Sequence, residues 1–401
     1  MGVPVISYLG RCLRGKGTTT VFCSLILYVV TFLVILPSVC RDLPYSVYFH
    51  GHGNAKHIVE KVISQNERRL EIATEYLAKM DTKLNADFYK YTDFDDTDIA
   101  VGVITIKRQN EGAKYKYLTQ VVTAADQSLK QNTSFHKPIL FLCNVDSEPD
   151  NHEEAIGLSQ LFPMHAHYDS SGIKPNSDKF EKEKEDYAFC LIKALSYRPR
   201  YVLLLEDDAQ PRKNFFDNVK YLLDHRIDSH SHYDQQHSKD EATPWFLVKL
   251  YYPEKWTGYA YEYDKIIELL ALGCVGGTIF YLVVQLPQSF ILGAVYFILV
   301  AYVIGRQYFI HLRRMSIYFH RVLPAPGCCT QALLYNALSA RQVAHHLSTV
   351  TCTIDFAVDL AIDAMAQNAA KPAYYVEPNL VRHIGMVSTV RNTKTAAEFL
   401  E

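Results

Sequence analysis

Residues 200–211 read Arg-Tyr-Val-Leu-Leu-Leu-Glu-Asp-Asp-Ala-Gln-Pro, an apolar run that ends in consecutive carboxylates and a proline. So short a run is typical of a strand buried on both faces, as in a parallel sheet, and Pro211 is expected to end its pairing. Glu206, Asp207 and Asp208 then lie at the carboxyl end of a strand, where open α/β sheets bind ligands. Because clustered carboxylates repel one another, a divalent cation with a phosphorylated ligand would suit them. The alternative, and the commoner one for such a triplet standing alone, is a solvated acidic turn.

The composition is that of a globular protein without an excess of charge. Of the 401 residues 49% are hydrophobic, and 41 basic residues stand against 43 acidic ones. A net charge of -2 gives no support for nucleic-acid binding through a global positive field. The length allows two domains, or one enlarged α/β domain with appendages.

The N-terminal region predicts a membrane anchor. Arg11, Arg14 and Lys16 precede a run over 18–37 that has no charged residue and is long enough to span a hydrocarbon core of ~30 Å. A cleaved signal peptide is the alternative, but the run is long for one and no clear cleavage site follows it. The basic residues place the N-terminus in the cytosol and the bulk of the chain in the lumen.

Strands and helices alternate along the rest of the chain. Apolar runs predict strands, and segments with helical spacing predict helices. The predicted strands are 99–106, 138–145, 201–205, 245–252 and 373–376. The predicted helices are 55–80, 117–130, 180–196, 214–225 and 337–349. This order predicts an α/β domain whose mostly parallel, doubly wound sheet is flanked by helices.

A membrane hairpin is predicted inside the α/β domain. No charged residue occurs over 269–304, and Pro287 divides this tract into two apolar halves that contain glycines for close helix packing. The alternative is a buried globular hairpin. Arg306, with arginines at 313 and 314, counts against spanning helices, because the positive-inside rule would place such residues in the cytosol. Whether the hairpin spans or re-enters, the chain returns to the compartment that it left, so both parts of the α/β domain can build one site.

These signals predict the boundaries of the chain's segments. They are a cytosolic tail over 1–17, an anchor over 18–39, a luminal stem or helix over 40–98, the first part of the α/β domain over 99–265, the hairpin over 266–305 and the second part over 306–401. A glycosylation sequon at Asn132 agrees with a luminal location.

Further titratable residues lie in the last part of the chain. Asp355, Asp359 and Asp363 recur at fourfold spacing, which predicts one helical face that meets solvent, a cation or a substrate. His383, close to Gly385 and downstream of a predicted strand, is either a core histidine or a metal ligand. The cysteines on the luminal side, whose pairing the sequence leaves open, are Cys40, Cys143, Cys190, Cys328, Cys329 and Cys352.

Several stretches carry a family resemblance when they are taken in order. They are 105–109 (Thr-Ile-Lys-Arg-Gln), 140–145 (Leu-Phe-Leu-Cys-Asn-Val), 180–187 (Phe-Glu-Lys-Glu-Lys-Glu-Asp-Tyr), 206–208 (Glu-Asp-Asp), 328–330 (Cys-Cys-Thr) and 375–385 (Tyr-Val-Glu-Pro-Asn-Leu-Val-Arg-His-Ile-Gly). The set resembles the GPI-anchor N-acetylgalactosaminyltransferases, Golgi glycosyltransferases of the GT-A fold with a transmembrane hairpin inserted in the catalytic domain. The resemblance covers nearly the whole chain, although 229–241 and the tail after 386 match no family motif. It implies a multi-pass Golgi membrane protein with a luminal catalytic domain of the GT-A type.

The resemblance also implies the roles of individual residues. Asp208 and His383 would hold Mn²⁺ on the diphosphate of UDP-N-acetylgalactosamine, where the ion neutralises charge on the departing UDP. Asp359 would be the base of a transfer with inversion. The acceptor would be the mannose core of a GPI anchor at the luminal membrane surface. The residues expected to contact the nucleotide sugar are Arg108, Gln109, Lys182, Asp186, Glu206 and Asp207.

Two other functions compete with a glycosyltransferase. A metal-dependent phosphohydrolase would need a second acidic strand end near Asp208, and the sequence offers none of comparable strength. A multi-span membrane protein whose luminal domain only binds a partner would tolerate the loss of Asp208.

Overall fold

The computed structural model describes most of the chain. The described residues are 17–81, 85, 88–89, 97–108, 110–131, 135–168, 174–228, 245–260, 262–369 and 371–386. They divide into two compact units. The membrane unit comprises the chain up to Ile58 together with Pro253–Met315, and the sheet unit comprises Val59–Tyr252 together with the chain from Ser316 onward.

The sheet unit contains all of the strands found in the described residues. In chain order they are β1 Ile99–Thr105, β2 Ile139–Asn144, β3 Met164–Ala166, β4 Tyr201–Glu206, β5 Ala209–Pro211, β6 Leu247–Lys249, β7 Arg321–Pro324, β8 Ala332–Asn336, β9 Tyr374–Glu377 and β10 Val381–His383. Eight of them form one sheet in the order β3-β2-β1-β4-β8-β6-β9-β7, and β5 pairs with β10 in a small second sheet. Strands β3, β2, β1 and β4 are mutually parallel, whereas β8 runs antiparallel to both of its neighbours.

Helices occur in both units. In chain order they are α1 Gly17–Val30, which continues through Thr31–Ile35 and Leu36–Val39, α2 Gly51–Ala78, α3 Tyr117–Gln131, α4 Glu153–Ser159, α5 Lys179–Ser196, α6 Phe215–Leu222, which continues through Leu223–Ile227, α7 Tyr263–Val284, α8 Pro287–Ile304, α9 Arg306–Leu312, α10 Ala337–Leu347 and α11 Val358–Asn368. The predicted fold class, a mostly parallel α/β sheet with an apolar N-terminal helix and an apolar hairpin, is therefore confirmed.

Apolar side chains cover both faces of the sheet. Val101 and Leu203 belong to a buried cluster with residues of α3, whereas Ala100 and Val202 belong to a second cluster with residues of α5 and α10. Alternate residues of a strand point to opposite faces, so a strand between two helical layers must be apolar at nearly every position. This requirement is what the apolar run before Glu206 signals.

Three of the helices that the structure describes in the membrane unit are strongly apolar. Val21–Val39, α7 and α8 are each long and apolar enough to cross a membrane. Gln285 turns the chain between α7 and α8 in a left-handed conformation, with φ +61°, and Pro287 begins α8, where its missing N–H costs no hydrogen bond. A Cβ on Gly276 would lie 2.1 Å from the Phe297 ring, so the two helices can approach this closely only because the residue is glycine.

The first helix and α8 run in the same direction. The Tyr28 hydroxyl donates to the Leu292 carbonyl, and Thr31 shares a 2.8 Å hydrogen bond with Tyr296, so the contacts advance together along both helices. Beyond the end of α1, the Ser46 hydroxyl donates to the carbonyl of Val303 at 2.9 Å. The beginning of α1 therefore lies at the same end of the bundle as the hairpin turn, and the open ends of the hairpin lie at the other.

Acidic partners account for the arginines that follow the hairpin. Arg306 is fully buried and donates to Glu268 at 2.8 Å and to the Thr257 carbonyl at 2.9 Å. Arg313 lies 3.4 Å from the same glutamate, and Arg314 bonds to Glu254 at 2.9 Å. These arginines hold the open end of the hairpin together, so their ion pairs give them a structural role.

Some element predictions were wrong in detail. The strand expected over 245–252 pairs only over Leu247–Lys249. Pro211 was expected to end pairing, but it lies opposite Val381 in β5–β10, an isolated two-stranded ribbon where a proline without an N–H is tolerated. The predicted face of three aspartates is interrupted because α11 begins at Val358, after a bridge between Thr353 and Phe356. Asp355 therefore precedes the helix and is exposed.

Candidate active site

The parallel strands β1 and β4 bring the acidic triplet to one edge of the sheet. Ile104 lies opposite Glu206 in the register, so both strands end at the same level. Thr105 is the last residue of β1, and Arg108 follows within one short turn. This arrangement is the physical reason that a basic residue after the first strand meets acids after the fourth.

Asp207 is held by groups from the end of β1. Arg108 Nη2 donates to Asp207 Oδ1, and the Thr105 hydroxyl donates to Asp207 Oδ2 at 3.0 Å. Thr105 Oγ1 also lies 2.9 Å from His152 Nε2, and burial lowers the pKa of that histidine. Both carboxylate oxygens of Asp207 are thus engaged within the protein.

Asp208 has one oxygen engaged and one without a partner. Arg108 Nη2 donates to Asp208 Oδ2 at 2.9 Å, and His383 Nε2 lies 3.5 Å from the same oxygen. Asp208 Oδ1 is buried and has no hydrogen-bond partner among the described residues. Although burial opposes ionisation, His383 and Arg108 together lower the pKa of Asp208. A charged, half-satisfied carboxylate in this position is suited to an additional cationic ligand.

The small sheet places His383 beside Asp208. His383 is paired with Ala209 across β5 and β10, and the Ile384 N–H donates to the Asp208 carbonyl at 2.9 Å. Burial opposes protonation of His383, but the Asp208 carboxylate outweighs it and raises the pKa of the imidazole. Gly385 passes so close that a Cβ there would lie 1.9 Å from Asp208 Oδ2. The strand pairing thus places His383 against the Asp208 carboxylate, and its role as a metal ligand stays a prediction.

Glu206 occupies a different environment from its two neighbours. Its Oε1 accepts a 2.7 Å hydrogen bond from the Thr330 hydroxyl. Burial is the larger cause that raises the pKa of Glu206, and the negative charge of Asp208 raises it further. The ionised Asp208 faces Arg108 and His383, whereas Glu206 is driven toward its neutral form. The repulsion expected from the acidic triplet is thus relieved by Arg108 and His383 and by the raised pKa of Glu206.

The donor set near Asp208 suits a divalent ion that also binds its substrate. Among the residues that the structure describes, no group of three or more His, Cys, Asp or Glu side chains could hold a metal by itself. Asp208 and His383 nevertheless offer a carboxylate oxygen without a partner and an imidazole, ligand types that suit Mn²⁺. An ion held by two protein ligands takes the others from water and from phosphate oxygens.

Lys182 and Asp186 form a separate cluster beside the ends of β2 and β3. Lys182 Nζ donates to Asp186 at 2.6 Å and to the Val145 carbonyl at 2.7 Å. Asp186 also contacts His167 Nδ1 and accepts from the Tyr168 hydroxyl, each at 2.8 Å. Val145 in turn donates its N–H to the Thr105 carbonyl at 2.9 Å, which links the cluster to the end of β1.

The residues after β7 reach the site through the segment 328–330. The Cys329 N–H donates to Asp359 Oδ2 at 3.3 Å, and Thr330 of the same segment bonds to Glu206. Asp359 lies in the first turn of α11 and is half-buried. Asp363, for which solvent exposure was one interpretation, is instead buried and bonded to Lys249.

Cysteine pairing was left open by the sequence and is defined here. Cys143 is bonded to Cys190, and Cys328 is bonded to Cys329. Cys40 and Cys352 are free and buried.

Some residues in the site were not predicted, and some predictions fall outside the described residues. Thr105, Thr330 and Lys249 contact the candidate residues, yet nothing in their local sequence assigns them a role. Only the position of Thr105, at the end of a strand, was a usable signal. Gln109 and the sequon at Asn132 lie outside the described residues.

Comparison with known families identifies the class of enzyme. Residues 99–382 match the family described as GPI-N-acetylgalactosamine transferase PGAP4. The chain belongs to this family. It is therefore a glycosyltransferase that uses a nucleotide-sugar donor and a glycan acceptor, and its apolar helices make it a membrane protein. The matched range includes Arg108, the acidic triplet, the hairpin and Asp359, and it ends beside His383.

Proposed function

We propose that the enzyme transfers N-acetylgalactosamine from UDP-N-acetylgalactosamine to the mannose core of GPI anchors, with a divalent ion and with inversion. The observation that carries the metal-dependent part is Asp208, whose Oδ1 is buried without a partner beside His383. A buried carboxylate oxygen without a partner is costly, and an Asp–His pair is a suitable ligand set for Mn²⁺. When bound, the ion would neutralise negative charge on the departing UDP.

The residues around Asp208 are proposed to bind the nucleotide. Arg108 is fixed between Asp207 and Asp208, so its guanidinium is oriented before a diphosphate arrives. Asp207 and Glu206 are proposed to contact the nucleotide sugar, and Gln109 remains a further candidate. Lys182 and Asp186 are proposed to contact the nucleotide sugar at the ends of β2 and β3. Because Lys182 is paired with Asp186, a phosphate contact would require that pair to open.

Asp359 is proposed as the general base. Inversion requires a base that removes the proton from the acceptor hydroxyl as its oxygen attacks the anomeric carbon and the bond to UDP breaks. Asp359 is half-buried and is connected to the acidic triplet through the segment 328–330. Its carboxylate accepts from the N–H groups of Cys329 at 3.3 Å and Leu360 at 2.9 Å, one on each oxygen, and each oxygen keeps a lone pair that can take a proton.

The setting of this reaction is proposed to be the Golgi lumen. The three apolar helices place the enzyme in a membrane, and a lipid-anchored glycan is an acceptor that lies at a membrane surface. The disulfide between Cys143 and Cys190 agrees with an oxidising compartment.

A donor screen tests the proposed function. Purified full-length enzyme would be incubated with Mn²⁺, a GPI glycolipid acceptor and each of several sugar nucleotides, and UDP release and product mass would be measured. We expect transfer only from UDP-N-acetylgalactosamine, loss of transfer with a chelator, and a product of inverted anomeric configuration by NMR. Hydrolysis of unrelated phosphate esters, or no reaction with any sugar nucleotide, would show that the proposal is wrong.

A further inference from the structure

Lys249 is a buried lysine at the end of β6. Its side chain is 1% exposed, and Nζ donates to Asp363 Oδ1 on α11 at 2.7 Å. The same ammonium donates to the carbonyl of Cys328. A lysine is almost never buried without a partner, because removing its charge from water is costly.

Asp363 holds the other backbone group of the same cysteine. The Cys328 N–H donates to Asp363 Oδ2 at 2.6 Å, so one ion pair fixes both the N–H and the carbonyl of Cys328. Gly327 also lies against this carboxylate, since a Cβ there would be 3.7 Å from Asp363 Oδ2. A buried ion pair adds little net stability compared with an apolar pair of similar size, so a role in specifying local geometry is the better explanation.

The segment held in this way connects two candidate site residues. Cys329 is bonded to Cys328 and lies in the left-handed region with φ +77°, so the segment follows a path that few residues would adopt. Its N–H points to Asp359, and the next residue, Thr330, donates to Glu206 at 2.7 Å. The Glu206 N–H in turn donates to the Gln331 carbonyl at 2.9 Å.

We propose that Lys249 and Asp363 are positioning residues, which hold the segment 328–330 so that its Cys329 N–H orients Asp359 and its Thr330 hydroxyl orients Glu206. This inference rests on the proposed function, in which Asp359 is the base. Neither Lys249 nor Asp363 touches the reacting atoms in this role. Both act through the backbone of Cys328. Their effect on the reaction is therefore confined to the orientation of the groups that touch the reacting atoms.

The test removes both charges at once, because a single substitution would leave the other charge buried and could prevent folding. The full-length Lys249→Met/Asp363→Leu variant would be compared with the wild type for kcat, for the KM of UDP-N-acetylgalactosamine and for thermal unfolding. We expect an unchanged fold and donor KM, with kcat reduced ~10- to 100-fold, as for other residues that orient a reactive group. Adding Asp359→Asn to this variant should reduce kcat by a smaller factor than it does in the wild type, because both changes act on the Asp359 carboxylate.

The chain offers a matched control. Lys184 donates to Glu181 at 2.7 Å and to the Val350 carbonyl at 2.8 Å, and Glu181 accepts from the Cys352 N–H, so this pair also fixes a backbone segment. Among the residues that the structure describes, that segment has no hydrogen bond to a candidate site residue, and the Lys184→Met/Glu181→Leu variant should keep kcat within about twofold of the wild type.

The outcomes separate this inference from the proposed function. The positioning role would be overturned, while the proposed function stands, if the Lys249→Met/Asp363→Leu variant had the kcat of the wild type. It would also be overturned if Asp359→Asn reduced kcat by the same factor in that variant as in the wild type. An equal loss of kcat in the control variant would also overturn it, because any buried pair would then have the same effect. No transfer by the wild type, or full activity of Asp359→Asn alone, would overturn the proposed roles and this inference with them.

Discussion

Asp208 and His383 lie far apart in the chain, yet they are within 3.5 Å of each other in the structure. The pairing of β5 with β10 accounts for this contact, because it sets His383 opposite the residue that follows Asp208. Arg108 approaches from the end of β1 and bonds to the same carboxylate. At the scale of single residues, the site is therefore an aspartate held between an arginine and a histidine, with one carboxylate oxygen left for a ligand.

Replacing Asp208 tests whether that oxygen is used. Asp208→Asn keeps the size of the side chain and removes its charge, so the fold should persist while affinity for a divalent ion is lost. We expect kcat/KM to fall at least ~100-fold, the magnitude seen when one group that stabilises transition-state charge is removed. Steady-state transfer measured across a series of Mn²⁺ concentrations checks this prediction.

Asp355→Asn is the matched control for that variant. Asp355 is an exposed aspartate outside α11, so its replacement should leave activity unchanged. Equal activity of Asp208→Asn and Asp355→Asn would contradict a role for Asp208 in binding or catalysis.

Gly385 makes a steric prediction at the same site. In Gly385→Ala the new Cβ would lie 1.9 Å from Asp208 Oδ2, so either the carboxylate or the backbone that follows β10 must move. We expect a loss of ~1–3 kcal/mol in the free energy of unfolding, as for other overpacked positions, together with loss of transfer. Thermal unfolding and kcat/KM, measured on the same preparation, check both parts.

Gly157→Ala provides the comparison for this steric effect. A Cβ at Gly157 would meet nothing within 4 Å, and alanine is the better helix former in α4. This variant should be as active as the wild type and at least as stable. If Gly385→Ala behaves in the same way, the close approach of Gly385 to Asp208 has no functional consequence.

At the scale of secondary-structure elements, the positions of α5 and α11 depend on links that cross the fold. Helix α5 carries Lys182 and Asp186, and its Cys190 is bonded to Cys143 in β2. Helix α11 carries Asp359, and Asp363 on the same helix is bonded to Lys249 of β6. Each helix that carries candidate site residues is thus fixed to a strand of the sheet.

The disulfide predicts a measurable contribution to stability. The Cys143→Ala/Cys190→Ala variant loses a crosslink that closes a loop with a sequence separation of 47 residues. We expect the free energy of unfolding to fall by ~2–4 kcal/mol, because the unfolded chain regains the freedom that the crosslink removed. Chemical denaturation of the wild type and the variant, both without reductant, measures this difference.

Cys352→Ala is the control for the loss of a buried thiol. Cys352 is buried and free, so its replacement removes a sulfur atom without removing a crosslink. A loss of stability as large as that of the double variant would show that cavity formation, and not the crosslink, explains the effect.

At the scale of the whole molecule, the hairpin divides the sequence of the α/β sheet without dividing the sheet. Strand β8 follows the hairpin in the chain, yet it pairs with β4 and β6, which precede it. Because the two helices of the hairpin return the chain to the end of the bundle from which it left, the second half of the sheet unit can join the first. An odd number of crossings would have separated Asp208 from His383.

The direction of the helices predicts which ends of the bundle face the same compartment. Gln288, next to the hairpin turn, should lie on the side of the N-terminus, and Tyr263, at the open end and 81% exposed, on the opposite side. In intact vesicles whose cytosolic face is outward, a membrane-impermeant thiol reagent should therefore label Gln288→Cys, with Tyr263→Cys protected until detergent is added. Mass spectrometry of the labelled protein gives the extent of modification.

The same labelling contains its own controls. The wild type measures the background from native thiols, of which Cys40 and Cys352 are buried. Equal labelling of both variants in intact vesicles would contradict spanning helices, and protection of Gln288→Cys alone would reverse the orientation proposed here.

The sequence by itself determined the fold class, the three apolar helices and most elements of the sheet unit, because these depend on periodicity within short stretches. It also indicated the acidic triplet at a strand end, since the strand before it must be apolar on both faces. The tertiary structure alone decided which charges meet: Arg108 compensates the acids, Asp363 pairs with Lys249, and Asp355 is left outside α11. These partners lie on different elements, and their proximity depends on strand order and register, which no local pattern records. The cysteine pairing was open for the same reason, because a crosslink depends on the distance between two sulfurs in the folded chain.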